Sequence, residues 1–190
     1  MVSNNSWLSM RHFVTQEYLN DIFMGQQQCE ICNTDIKTNG LLDNLSKCTI
    51  FASTLMRSRQ TVDYVVSNYQ NVDFTVIFSD NLIERNLGIF ECKNKASIRT
   101  NLTYFDDGKF IVEKTPPGGE SINDFRSRVN KEVQIIKKEF SNNNILVISH
   151  LHVLRMIFLC MHDIFVYDQW HKLNYIHGEI VEEKYGKKAK

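Results

Sequence analysis

The sequence predicts an α/β domain built on a mainly parallel sheet, and three observations carry that expectation. Short apolar runs alternate along the chain with stretches whose apolar residues recur at helical spacing. One run, Ile145–Ile148, is apolar without interruption, as a strand buried on both faces must be. Only two prolines and eight glycines punctuate the 190 residues, which suits long regular elements.

Taken in order, Trp7–Met10 is a short apolar strand that leads into Arg11-His12, and Cys48–Ser53 is a second. Met56, Val62, Val65, Val66 and Tyr69 then recur at roughly helical spacing. Phe74–Phe78, rich in β-branched and aromatic residues, reads as a third strand. A polar stretch follows, in which Asp107-Gly108 predicts a hairpin turn between Leu102–Phe105 and Lys109–Val112. Pro116-Pro117-Gly118-Gly119 is a firm stop. The clearest helix comes next: Ile122, Phe125, Val129, Val133, Ile136 and Phe140 form one apolar stripe, with Ser121 placed to cap its start. After the strand at Ile145–Ile148 another helix starts near His152, and Tyr175–Glu182 reads as a last strand before a solvated basic tail, Lys184–Lys190.

Composition narrows the function classes. With 43% apolar residues the chain can bury a core, and its length reads as a single domain, 1–190. Twenty-two basic residues balance 22 acidic ones, which argues against a bulk electrostatic grip on nucleic acid or on an anionic membrane. The first ten residues lack a basic n-region and an apolar core, and no window approaches the length of a membrane span. Five scattered cysteines, an odd number, fit reduced thiols and a cytoplasmic location. Cys29 and Cys32 form a C-x-x-C with no second pair, and His150-Leu151-His152 is an H-x-H without a third ligand at metal spacing, so both are read as incidental.

In a parallel α/β sheet, ligands bind beyond the carboxyl ends of the strands. Three predicted strands end there in groups suited to an anion: Arg11-His12, then Ser53 running into Arg57 and Arg59 at a helix start, and His150 after the buried run. A helix start offers unpaired N–H groups, and arginine offers a planar fork that matches phosphate oxygens. The pattern points to a phosphate pocket.

The chain resembles the histidine phosphatase superfamily, the phosphoglycerate mutase-like fold. The segments that carry the resemblance are RHFVT (Arg11–Thr15) for RHGxT, FASTLMRSRQT (Phe51–Thr61) for SxLxRxxxT, and LIERNLGIFE (Leu82–Glu91) for LxERxxG. PPGGES (Pro116–Ser121) and VISH (Val147–His150) complete the set, in the family's order and over nearly the whole chain. The ERxxGxxE and PPGGE forms are most similar to the phosphatase branches.

The resemblance implies a three-layer α/β/α sandwich with a mainly parallel central sheet. It implies a metal-independent, cofactor-free phosphomonoesterase acting through a phosphohistidine on His12, with Glu84 as proton donor and His150 beside the nucleophile. Arg11, Arg57 and Thr15 are the implied phosphate contacts, and the implied partner is a phosphorylated small molecule rather than a protein. Two other readings stay open: a mutase that returns the phosphoryl group to its substrate, and a non-catalytic phospho-ligand binding module. Four positions depart from the family pattern, one of them Cys92, which stands after Glu91 where the phosphatase branches commonly have Gly. Phe13 replaces the glycine after the nucleophile, Tyr18 falls near a customary Asn, and His152 stands where a small residue is usual.

Overall fold

The computed structural model describes residues 5–35, 37 and 40–183. Its seven strands are β1 (Trp7–Arg11), β2 (Lys47–Ser53), β3 (Asp73–Ser79), β4 (Phe105–Asp106), β5 (Lys109–Phe110), β6 (Ile145–Ser149) and β7 (Ile180–Glu182). Its α-helices are α1 (Gln16–Leu19), α2 (Met56–Asn68), α3 (Lys95–Ile98), α4 (Ile122–Phe140) and α5 (Leu151–Met161). Five strands form one sheet in the order β3-β2-β6-β1-β7. The first four run parallel and only β7 is antiparallel, against β1. The fold class is as the sequence predicts.

Alternation along β2 divides the core between the two faces of the sheet. Cys48, Ile50 and Ala52 pack with Val62 and Val65 of α2 on one face. Phe51 and Val147 pack on the other with Phe125, Val129 and Val133 of α4 and with Leu154 and Ile157 of α5. The three layers follow from that division.

Each helix has a local cause. Ser121 accepts the Asp124 N–H at 3.1 Å and so caps α4, whose last turn carries Lys137 and Lys138 against the negative end of the dipole. Helix α5 buries eight of its eleven residues, which accounts for a sequence apolar on nearly every side. Phe125 is a fully buried member of the larger cluster. Phe125→Ala is expected to lower the unfolding free energy by about 3–5 kcal/mol, read from denaturant melts, because the cavity left behind can only partly collapse.

Three expectations are refined. The hairpin at Asp107-Gly108 forms with both turn residues at positive φ, but its strands are two residues each and Leu102 lies outside them, exposed. Strand β3 is an edge, so Val76, Ile77 and Phe78 stay partly exposed despite their apolar character. The last strand is confined to Ile180–Glu182, while His177 forms an isolated bridge to Arg11 and Gly178 turns the chain at φ +74°. The basic tail lies outside the described residues.

Candidate active site

Strands β1, β6 and β2 are neighbours and parallel, so their carboxyl ends face one edge of the sheet. Arg11 pairs with Ser149 and Ala52 with Ile148, and the His12 N–H extends the ladder onto Ser149 O at 2.9 Å. His12 and His150 therefore each stand one residue beyond a paired strand end. Their rings lie 5.0 Å apart, centroid to centroid. Of the histidine and arginine residues that the sequence placed at separate strand ends, His12, His150, Arg11 and Arg57 are brought together.

The hydrogen bonds define the protonation of both rings. His12 Nδ1 is 2.6 Å from Phe13 O, and a carbonyl can only accept, so Nδ1 carries the proton and Nε2 presents its lone pair. Arg57 Nε donates to His12 Nε2 and to His150 Nδ1, both at 3.2 Å. His150 Nδ1 is thus an acceptor, and its Nε2–H donates to Ser53 Oγ at 2.8 Å. Burial, and then the neighbouring Arg57 charge, holds both imidazoles well below the usual histidine range. Both are neutral at working pH.

Arg57 is fixed from α2. Its Nη1 and Nη2 donate to Gln27 O at 2.7 Å and Gly25 O at 2.8 Å, tying the loop after α1 to the cluster. The fork of Arg57, an implied phosphate contact, is partly spent on backbone carbonyls. Arg11 is less committed: Nη1 reaches Tyr175 O at 3.4 Å, and Nε is buried without a partner. Burial lowers the Arg11 pKa to about 10, which leaves it a cation. Glu84 is the acidic group that acts most strongly on both buried guanidinium groups, Arg11 and Arg57.

Glu84 closes the cluster. It lines a cavity of about 570 Å³ together with Arg11, His12, Arg57, Tyr18 and Lys95. Its loop is held by Arg128, which donates to the carbonyls of Asn81, Ile83 and Glu84 and pairs with Glu120 at 2.6 Å. Gly88, at φ +55°, lets the same loop pass against Pro117, where a Cβ would collide with the Pro117 carbonyl. Burial raises the Glu84 pKa above the usual 4.5, against the pull of Arg57 and of the Arg85 N–H. A carboxyl whose folded pKa is raised adds stability below its unfolded pKa and loses it as pH rises through the folded value. Glu84→Gln is therefore expected to raise the melting temperature relative to wild type at pH 8 and to change it little at pH 4; thermal melts at both pH values check this.

Thr15 is placed differently from its implied role. Its Oγ1 accepts the Tyr18 N–H at 3.3 Å as the cap of α1 and donates to Met24 Sδ, and Thr15 is not among the residues that line the cavity. Phe13 does not narrow the cavity: its ring is buried edge-on against Tyr64. Arg59 points outward onto the Phe78 ring. Tyr18 lines the cavity and sits under both Arg11 and Lys95. His150 and His152 diverge, the first toward Ser53 and Arg57, the second toward Glu84 and Trp170.

Sequence reasoning missed His177. Its ring lies 4.9 Å from His12, and its Nδ1 is 2.7 Å from the His12 carbonyl, so it too carries its proton on Nδ1. Burial, followed by the Arg11 charge, lowers its pKa to about 3. No quoted segment includes it, and the bridge to Arg11 that brings it in joins residues far apart in the chain.

The family model for the histidine phosphatase superfamily, branch 1, matches residues 10–186. The chain belongs to that superfamily. Membership places it among the phosphoric monoester hydrolases. Solved structures with the same fold include a putative alpha-ribazole-5'-P phosphatase from Escherichia coli, 18% identical with a TM-score of 0.75 and 97% of each chain covered. The mycobacterial glucosyl-3-phosphoglycerate phosphatase is 17% identical with a TM-score of 0.70, covering 91% of this chain and 86% of its own. No curated protein matches the sequence. Among the described residues, no helix is long and apolar enough to cross a membrane.

Proposed function

We propose that this histidine phosphatase hydrolyses a small-molecule phosphate monoester in two steps through a phosphohistidine at His12. The observation that carries the reading is the tautomer of His12. Phe13 O holds the proton on Nδ1, which leaves the Nε2 lone pair facing the Arg57 donor, beside the His150 ring and the Arg11 charge, where a phosphoryl group is best balanced.

In the first step His12 Nε2 forms a bond to phosphorus as the P–O bond to the leaving group breaks, and Glu84 gives its proton to the departing oxygen. In the second, water attacks phosphorus, Glu84 takes the water's proton, and the P–N bond breaks to return the lone pair to His12. Arg11 and Arg57 balance the equatorial oxygens throughout. His150 Nδ1 faces the same space as a lone pair. It becomes a donor to phosphate by taking up a proton when a dianion offsets the guanidinium charge that now keeps it neutral.

The raised pKa of Glu84 suits one carboxyl to both half-reactions, acid first and base second. A cavity of about 570 Å³ whose lining includes Tyr18, Phe23, Met24, Lys95 and Arg99 accommodates a small organic leaving group. Glu84→Gln is expected to slow an alkyl phosphate about 10²-fold or more in kcat/KM while slowing p-nitrophenyl phosphate far less, because a good leaving group needs little protonation. Equal slowing of both esters removes the acid role from Glu84.

A further inference from the structure

We infer that His152 is a positioning residue for Glu84: its backbone N–H and its Nδ1–H together grip the carboxylate that Glu84 becomes between the half-reactions, and slacken on the neutral acid. The inference rests on the phosphohistidine reading for its catalytic meaning, though the grip itself is a property of the folded protein.

The geometry is a two-point clamp, partly closed. Glu84 Oε1 accepts the Arg85 N–H at 2.8 Å, and Oε2 accepts the His152 N–H at the long distance of 3.4 Å. His152 Nδ1 lies 3.8 Å from Oε1, beyond hydrogen-bond reach, and is buried with no partner. An unpartnered buried ring nitrogen is costly, and the acceptor it faces is the carboxyl whose charge changes during turnover. The ring cannot drift far, since it is the second residue of α5 and packs on Trp170, 5.6 Å between centroids, itself almost fully buried. Closing the gap by less than an ångström completes a hydrogen bond of the kind that strengthens when its acceptor ionises.

The charges around the pair decide why an imidazole suits this place. His152 is faced by Arg155 of its own helix, Arg85 of the Glu84 loop, Arg11 of β1 and His171 from the segment after Trp170. Burial and these cations hold it neutral. Glu84 is faced by Arg57 of α2, Arg11 and Arg155. A lysine or arginine at 152 would form a permanent ion pair and keep Glu84 ionised, unable to donate. A neutral donor tolerates both states of the carboxyl and adds no charge to a pocket that must receive a dianion. The histidine that departs from the family's small residue at this position thus acts on the acid rather than on a metal.

The test reads Glu84 directly. In protein carrying ¹³C-carboxyl glutamate, the Glu84 resonance, assigned by its loss in Glu84→Gln, is titrated in wild type, His152→Phe and His152→Asn. His152→Phe keeps a ring against Trp170 and removes the donor; His152→Leu replaces it should the phenylalanine fail to fold. His152→Asn offers an amide N–H close to the place of Nδ1. The Glu84 ionisation constant is expected to fall about tenfold in the donor-less variant, moving the midpoint to higher pH, and to return toward wild type with asparagine. The alkaline limb of kcat/KM for an alkyl phosphate should move the same way. A midpoint that stays put or moves to lower pH without the donor, or an asparagine variant no different from phenylalanine, overturns the inference. Because the titration needs no turnover, an inactive wild type would sink the phosphatase reading and leave the clamp to stand or fall by the midpoint alone.

Discussion

His12→Ala is expected to reduce turnover of an aryl phosphate by about 10³-fold or more, the scale on which removal of a covalent nucleophile acts. The aryl ester is the stringent choice, because its leaving group needs no acid and the loss then reports the nucleophile alone. Binding should survive far better than turnover, since Arg11, Arg57 and His150 remain to hold the phosphate. Their anchors lie elsewhere, on the Gly25 and Gln27 carbonyls for Arg57 and on Ser53 for His150. A small rise in KM with a collapse of kcat is the expected pattern. Undiminished turnover in His12→Ala removes the covalent mechanism.

Arg57→Ala is expected to be the next most severe change, costing about 10²–10³-fold in kcat. One guanidinium donates to both the His12 and His150 imidazoles and to two loop carbonyls, so its loss is expected to remove charge balance for a phosphate and to free the loop after α1 together. Arg57→Lys keeps a charge but has a single nitrogen to cover positions now served by three, and should recover little of the rate. Arg57 is the largest cause after burial for the low pKa of both imidazoles. Its removal should therefore move the acid limb of kcat/KM to higher pH, measured in Arg57→Ala against wild type.

Much of this arrangement is legible in the chain because each strand-end group sits at a punctuated boundary. Apolar runs stop at Arg11-His12, at Ser53 and at His150, and parallel pairing turns those stops into one edge. Local chemistry also declares itself, as Ser121 ahead of a periodic stripe does for α4. What stays hidden depends on packing between distant segments. His177 enters through a bridge to Arg11 across most of the chain. Arg128 is held to the Glu84 loop by contacts that join residues more than forty positions apart, and nothing local in the sequence marks them. Phe13, the bulky residue beside His12, turns its ring into the core against Tyr64, a direction that the sequence alone does not fix. Thr15 is ambiguous in sequence because a hydroxyl before a short helix serves equally as cap or ligand contact, and here it caps.

The most direct measurement of the central claim is to quench the protein during turnover of a labelled phosphate ester, digest it, and locate the bound label. A phosphate that is labile in acid and stable in base, mapped to the peptide containing His12 and absent from His12→Ala, is the predicted result. No trapped label under conditions of active turnover, or a label mapped to His150, His152 or His177 instead, contradicts the account.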